Sequence, residues 1–190
     1  DATTLRIYIV DDHLLFREGL VRLLEEQAGF SVAGKSSTVS AALAEVPAAA
    51  PDIVLLDVDL GQERAIQFLR GLKGLGVSPT VLIVTAGVSE FEAMQLVHEG
   101  AVGIFHKHNP PESLCDAIRK VARGEVVLEQ RYLKGLFAAV DPNTVDSRPK
   151  LSEREVRVLQ ALLEGKVNKE IGTEMGLSES SIKAVLSGLF

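Results

Sequence analysis

Four aspartates stand at the ends of two apolar runs in this chain. Asp11 and Asp12 directly follow Leu5-Arg6-Ile7-Tyr8-Ile9-Val10; Asp57 follows Ile53-Val54-Leu55-Leu56, and Asp59 comes two residues later. Crowded carboxylates repel one another, and a hard dication between them removes the repulsion. Mg²⁺ in particular takes few carboxylates, keeps several waters and accepts a phosphate oxygen. In such a site a carboxylate can attack phosphorus and form an acyl phosphate while the metal neutralises developing charge. Thr85 and Lys107 end two further apolar runs. They add a hydroxyl and a cation suited to phosphoryl oxygens. Taken singly, each residue has a plainer reading: an Asp pair after a strand caps a turn or helix, and a lone lysine is solvated surface. The conjunction, each type at the end of its own run, points to chemistry.

A scaffold must bring these ends together. Short β-branched runs at 5–10, 30–34, 53–56, 80–84 and 102–106 read as strands. Between them lie helical stretches at 13–27, 39–46 (ended by Pro47), 65–73, 90–98 and 111–123. In the first helix Leu14, Leu15, Leu20, Leu23 and Leu24 supply the expected apolar face. Five βα units imply an open parallel sheet covered by helices on both sides. With strand order 2-1-3-4-5, strands one and three are neighbours at the switch point, where ligands bind in such sheets. Asp11, Asp12 and Asp57 then converge in one crevice.

The pattern changes beyond residue 123. Residues 130–140 read as a helix, and 141–150, with two prolines and almost no apolar content, as a linker. Ser152-Glu153-Arg154-Glu155 is a capping box. Val156, Leu159, Leu162 and Leu163 follow as an apolar face, and Gly165 ends that helix. Asn168 is placed to cap a second helix through Met175; Gly176-Leu177 turns the chain, and Ser178 caps a third helix running to Phe190. Short helices joined by a tight Gly-containing turn form a helix-turn-helix pattern. The expected domains are therefore 1–123, a helix and linker over 124–150, and 151–190.

Bulk properties set outer bounds. The composition, 46% apolar and 24% charged, suits a folded globular chain rather than a disordered one. A net charge of −6 does not advertise nucleic-acid binding by bulk electrostatics. The single cysteine, Cys115, excludes an intrachain disulfide and reads as a small packed hydrophobe. No secretory leader and no apolar stretch of membrane-spanning length is evident, so a cytoplasmic location is expected.

The ordered motifs resemble two-component response regulators of the NarL/FixJ class, which carry a LuxR-type helix-turn-helix. The first part of the resemblance covers roughly 4–123, in Val10-Asp11-Asp12-His13, Leu55-Leu56-Asp57, Val84-Thr85-Ala86, Gly103-Ile104-Phe105-His106-Lys107 and Asn109-Pro110-Pro111-Glu112. The second covers 151–190, in Leu151-Ser152-Glu153-Arg154-Glu155, Asn168-Lys169-Glu170-Ile171 and Leu177-Ser178-Glu179-Ser180-Ser181-Ile182-Lys183. The resemblance implies a flavodoxin-like (βα)5 receiver and a small all-α effector. It implies that Asp57 accepts a phosphoryl group from a sensor histidine kinase, and that Asp11, Asp12, Asp57 and the Asp59 backbone carbonyl hold Mg²⁺. It further implies that Thr85 and Lys107 move onto the phosphoryl oxygens, and that phosphorylation promotes a homodimer acting at promoter DNA.

Three departures from the class stand out. The position three before the lysine, often an aromatic that swings with the threonine, is Ile104; Phe105 points the other way because strand side chains alternate. The class continues with a further helix that supports dimerisation, so a chain ending at Phe190 reads as a C-terminally truncated effector. The presumed recognition helix is poorly dressed for DNA. Lys166, Lys169, Ser180, Lys183, Ala184 and Ser187 are the candidate DNA contacts, the first two lying before this helix, and from Ser178 onward Lys183 is the only cation. Since Lys and Arg supply most phosphate-backbone affinity, weak DNA binding is expected. His106 and His108 flank Lys107, but alternation favours the lysine for phosphate. Two alternatives compete. One is a phosphorylation-dependent interaction protein without DNA output. The other is a phosphatase of the haloacid-dehalogenase type, suggested by Asp57-Val58-Asp59.

Overall fold

The computed structural model describes residues 4–133 and 152–189. The expected linker at 141–150 and the 134–140 part of the expected helix lie outside the described residues, as do Phe190 and the side chain of Ser187. Strands β1 (Leu5–Val10), β2 (Phe30–Ser36), β3 (Ile53–Leu56), β6 (Thr80–Thr85) and β7 (Ala101–His106) form one parallel sheet. Its order is β2-β1-β3-β6-β7, the 2-1-3-4-5 arrangement counted over its five members. The intervening β4 (Asp59–Leu60) and β5 (Glu63–Arg64) form a small antiparallel hairpin that hydropathy did not signal. Helices α1 (Leu14–Glu25), α2 (Val39–Ala49), α3 (Ala65–Leu72), α4 (Glu90–His98) and α5 (Pro111–Ala122) cover the sheet.

Alternation along the strands sorts the core into two layers. Ile7, Ile9, Ile53, Leu55, Leu82, Val84 and Phe105 pack against α1 and α5 through Leu20, Leu24, Leu114 and Ile118. Tyr8, Val10, Val54, Leu56, Ile83 and Ile104 pack on the opposite layer with α2, α3 and α4 through Val46, Phe68 and Leu96. Phe105 does face away from Ile104, as alternation requires. Cys115 is buried in the α5 layer, where burial pushes its thiol pKa up.

Two helix readings need correction. Leu14 and Leu15 are 59% and 88% exposed; the sheet-facing stripe of α1 is Leu20 and Leu24, one turn apart. Pro47 does not end α2. It sits in the last turn, and the helix stops at Ala50, a left-handed residue (φ 42°) whose N–H donates to the Val46 carbonyl at 2.9 Å. Its missing N–H leaves the Leu43 carbonyl without the usual i−4 donor.

Helices α6 (Glu153–Leu163), α7 (Asn168–Met175) and α8 (Glu179–Leu189) pack around Val158, Ala161, Ile171, Ile182 and Leu186. The Ser152–Glu155 capping box forms as expected, and Ser178 Oγ accepts from the Ser181 N–H at 3.1 Å. The buried stripe of α6 is Val158, Leu159 and Ala161; Val156, Leu162 and Leu163 are only half-buried. Asn168 does not cap α7. It is the helix's first residue, and its buried amide donates to the Gly124 carbonyl at 3.1 Å.

Residues after α5 close the outer edge of the sheet. The Ile104 N–H donates to the Val127 carbonyl at 2.7 Å, and Gly103 bridges Val127 in parallel register. A covered edge cannot template pairing with another chain. Gly103 makes the approach possible, because a Cβ there would lie 2.8 Å from the Val127 oxygen and 3.0 Å from Leu82 Cδ1. Gly103→Ala is therefore expected to cost about 1–3 kcal/mol through overpacking. Thermal unfolding followed by circular dichroism should show a lowered Tm, with amides at 124–128 losing hydrogen-exchange protection first.

Candidate functional site

Strand register delivers the acids. Val10 and Leu56 are paired in β1 and β3, so Asp11 and Asp57, each the next residue, emerge at the same level. The pairing extends one step further, since the Asp57 N–H donates to the Val10 carbonyl at 2.9 Å. Thr85 pairs with His106 across β6 and β7, and the Lys107 N–H donates to the Thr85 carbonyl at 2.8 Å. All of these lie at the carboxyl edge of the sheet, around the switch point between β1 and β3.

Asp11 and Asp57 are almost fully buried. Lys107 Nζ lies 2.6 Å from Asp57 Oδ2 and 2.7 Å from Asp11 Oδ2, donating to both carboxylates. Asp57 Oδ1 accepts from the Val58 N–H at 2.8 Å, and Asp11 Oδ1 from the His13 N–H at 2.8 Å. Burial raises the Asp57 pKa above the ordinary carboxylate value, against the opposing pull of Lys107. Burial acts to lower the pKa of Lys107, but its bonds to Asp11 and Asp57 outweigh this and leave it raised. The pocket therefore holds two partly desolvated carboxylates under one ammonium.

Asp12 is at the rim, partly exposed, and His13 Nδ1 sits 2.9 Å from its Oδ1 and 3.7 Å from Asp57 Oδ2. Asp11, Asp12, His13 and Asp57 each offer a ligand atom within 4.8 Å of the others. An acidic, oxygen-rich set at the solvent edge suits a hard dication, and the fit is good. Asp59 stands apart. Its side chain is exposed and paired with Arg64, which also reaches Glu92 of α4. Thr85 does not touch Asp57. Its Oγ1 donates to the Gly87 carbonyl at 3.0 Å and accepts from the Gly87 N–H at 3.2 Å.

Two neighbours were not anticipated. The Phe16 ring lies under the Lys107 ammonium, 4.4 Å from its centroid, a cation–π contact that fixes the lysine over the acids. Arg17 donates to the Asp11 carbonyl at 2.5 Å. Both lie on α1 just after the acid pair, so proximity in sequence was their only available signal. His106 faces the other layer and takes no part in the acidic cluster; its contacts are Tyr132, Glu129 and Arg131.

On the helical unit two of the candidate DNA contacts, Lys166 and Lys183, are engaged in ion pairs. Lys166 is 2.6 Å from both Glu164 and Glu174, and Lys183 is 3.2 Å from Glu179. The aliphatic stem of Lys183 also lies against Gly124. Lys169, Ser180 and Ala184 are exposed.

A desolvated aspartate pocket at the switch point of this sheet, followed by a helix-turn-helix, defines a phosphoacceptor signalling protein with a helical output unit. The response regulator receiver domain pattern matches residues 7–119, and that of the bacterial regulatory proteins of the luxR family matches 149–190; the chain belongs to the response regulator family, with a LuxR-type effector. The nitrate/nitrite response regulator protein NarP of Escherichia coli is 32% identical over all of this chain and 88% of its own length. The DNA-binding transcriptional activator DevR/DosR of Mycobacterium tuberculosis is 32% identical over 97% of this chain and 86% of its own. Among solved structures, the response regulator ChrA of a heme-sensing two-component system superposes with a TM-score of 0.57 at 27% identity, covering 97% of this chain and 88% of that one. The chain is thus a two-component response regulator with a phospho-accepting aspartate site and a LuxR-type DNA-binding regulatory domain. It is a regulator and not a catalytic enzyme, which removes the haloacid-dehalogenase alternative.

The raised pKa of Asp57 has a sign that can be tested. Between the unfolded value, about 3.9, and the higher folded value, the native state binds more protons than the unfolded one, so stability falls as pH rises. Asp57→Asn removes this component. In metal-free buffer the melting temperature of the variant minus that of the wild type is expected to grow as pH rises from about 4 through the folded Asp57 pKa. A flat difference would contradict the burial argument.

Proposed function

We propose that Asp57 is the phosphoacceptor, that Asp11, Asp12, Asp57 and the Asp59 carbonyl hold Mg²⁺, and that Thr85 and Lys107 bind the phosphoryl oxygens. The observation that carries this reading is Lys107 Nζ bridging Asp11 and Asp57 at 2.7 and 2.6 Å in a buried crevice. The domains are read as a receiver over 1–123, a helix and linker over 124–150, and an effector over 151–190. The phosphoryl source is a sensor histidine kinase, acting in the cytoplasm. No helix among the described residues is long and apolar enough to cross a membrane.

In the reaction an Asp57 carboxylate oxygen forms a bond to phosphorus. The bond from phosphorus to the donor's imidazole nitrogen breaks, and that nitrogen keeps the electron pair and is protonated. Lys107 contributes twice. Its charge opposes the burial that raises the Asp57 pKa, and the same ammonium is then free to pair with a phosphoryl oxygen. Thr85 must exchange its two bonds to Gly87 for one to the phosphoryl group. The cation, when bound, supplies charge neutralisation as phosphorus is attacked. Acetyl phosphate with Mg²⁺ is expected to add one phosphoryl group per chain by intact mass. Asp57→Asn should abolish it, and incorporation at the same level in that variant overturns the assignment. Mg²⁺ near a hundredfold excess over its Kd should stabilise the wild type by about 2.7 kcal/mol, and Asp12→Asn should lose most of that gain in Tm.

The output is read as DNA binding by a homodimer formed on phosphorylation, with Lys166, Lys169, Ser180, Lys183, Ala184 and Ser187 as contacts. Binding by these 190 residues should be weak, because Lys166 and Lys183 are already paired with glutamates of their own unit. Low-salt gel shifts are expected to show diffuse, salt-sensitive complexes; a tight, sequence-specific complex contradicts this. The absence of any shift before and after phosphorylation would overturn these contacts.

A further inference from the structure

His106 and Tyr132 are buried polar residues that the phosphoryl chemistry leaves unused. His106 is the cross-strand partner of Thr85, and side chains of paired residues in parallel strands share a face. That face also carries Ile104, where the class often has an aromatic. An aromatic is present all the same, delivered from outside the sheet. Tyr132, 1% exposed, packs in the same core layer as Ile104, Ile83 and Ala93. Its ring stacks on His106 with centroids 5.9 Å apart.

The Tyr132 hydroxyl lies 2.9 Å from His106 Nε2 and 3.4 Å from the Val88 carbonyl. Arg131 also places a guanidinium nitrogen 2.8 Å from His106 Nε2. A guanidinium only donates, so Nε2 is an acceptor and the imidazole is neutral there. Burial, which lowers the His106 pKa, agrees. The single lone pair of Nε2 is contested by the Arg131 N–H and the Tyr132 hydroxyl, whose other acceptor is the Val88 carbonyl on the β6–α4 loop.

That loop is the one Thr85 must disturb. Thr85 is anchored to Gly87, and Val88 is the next residue. When Thr85 turns toward Asp57, it releases Gly87 and withdraws from beside His106. The two groups beside that movement, the Val88 carbonyl and the His106 ring, are both partners of Tyr132. Tyr132 in turn lies on the segment that leads out of the receiver. Along it Val126 packs on the helix-turn-helix core, Val127 on the α1/α5 layer and Leu128 on the α2–α4 layer.

We propose that Tyr132 and His106 couple the position of Thr85 to the segment entering the effector, Tyr132 serving as the aromatic that β7 itself lacks. Tyr132 is a positioning residue: it touches neither Asp57 nor its ligands. The proposal rests on phosphorylation at Asp57, so the test measures both. The full chain and Tyr132→Phe are treated with acetyl phosphate and Mg²⁺; intact mass reports incorporation, and hydrogen exchange reports residues 126–133. In the wild type, phosphorylation is expected to change protection of that segment about tenfold, equivalent to about 1.4 kcal/mol in local opening. In Tyr132→Phe, incorporation should match the wild type while the change in protection falls below about threefold. Because the chain has no tryptophan and only two tyrosines, emission of the wild type minus that of the variant isolates Tyr132 and should also change on phosphorylation. A full protection change in the variant, or none in a phosphorylated wild type, overturns the coupling. Failure of the wild type to incorporate phosphate overturns the Asp57 reading itself.

Discussion

Two buried carboxylates held at the same height by adjacent parallel strands are the constraint on which the molecule turns. Ionised side by side in a poorly solvated crevice, Asp11 and Asp57 repel each other and miss water. Lys107 answers both problems with one ammonium, steadied beneath by Phe16. The arrangement is satisfied but not saturated. It leaves Asp12 and His13 at an open rim, where a cation and a phosphoryl donor can arrive. The charge balance that keeps the unmodified pocket folded is the one that phosphate redistributes.

The groups around that pocket divide between two faces of the sheet. Asp57 and Lys107 are in phase with the layer under α1 and α5, whereas Thr85, Ile104 and His106 belong to the layer under α4. Arg64 adds a link on the surface by joining Asp59 to Glu92 on α4. The edge of β7 is closed by backbone from residues after α5, so the receiver's last strand is already bonded to the segment that leaves it.

The effector shows a different economy. Its three helices form a small core with good caps, yet two of its cations, Lys166 and Lys183, are paired with neighbouring glutamates. Exposed pairs of this kind contribute little to stability, but they do subtract from the positive field that a DNA backbone would meet. Asn168, which reads in sequence as a helix cap, instead spends its amide on the Gly124 carbonyl and ties the helical unit to the end of α5.

Local rules carried much of this protein. The short continuous apolar runs gave five strands, the placement of Asp11, Asp57, Thr85 and Lys107 at strand ends pointed to one crevice, and the Ser152 and Ser178 caps read correctly, because each depends on neighbours within a few residues. What failed was what depends on distant partners. Leu14 and Leu15 are apolar by type but face solvent, since the sheet selects the Leu20–Leu24 stripe of α1. Pro47 is tolerated because Ala50 supplies the actual stop. The β4–β5 hairpin is too short for a periodic signal, and Tyr132, set apart from Thr85 along the chain, fell within the expected 130–140 helix with nothing to mark its partners. Sequence alone determined which groups could do phosphoryl chemistry, because that is a matter of residue type and strand ends. Only the tertiary structure decided that Lys107 binds both acids, that Thr85 rests on Gly87, and that Tyr132 fills the face beside Ile104, because those choices are made by atoms that folding brings together.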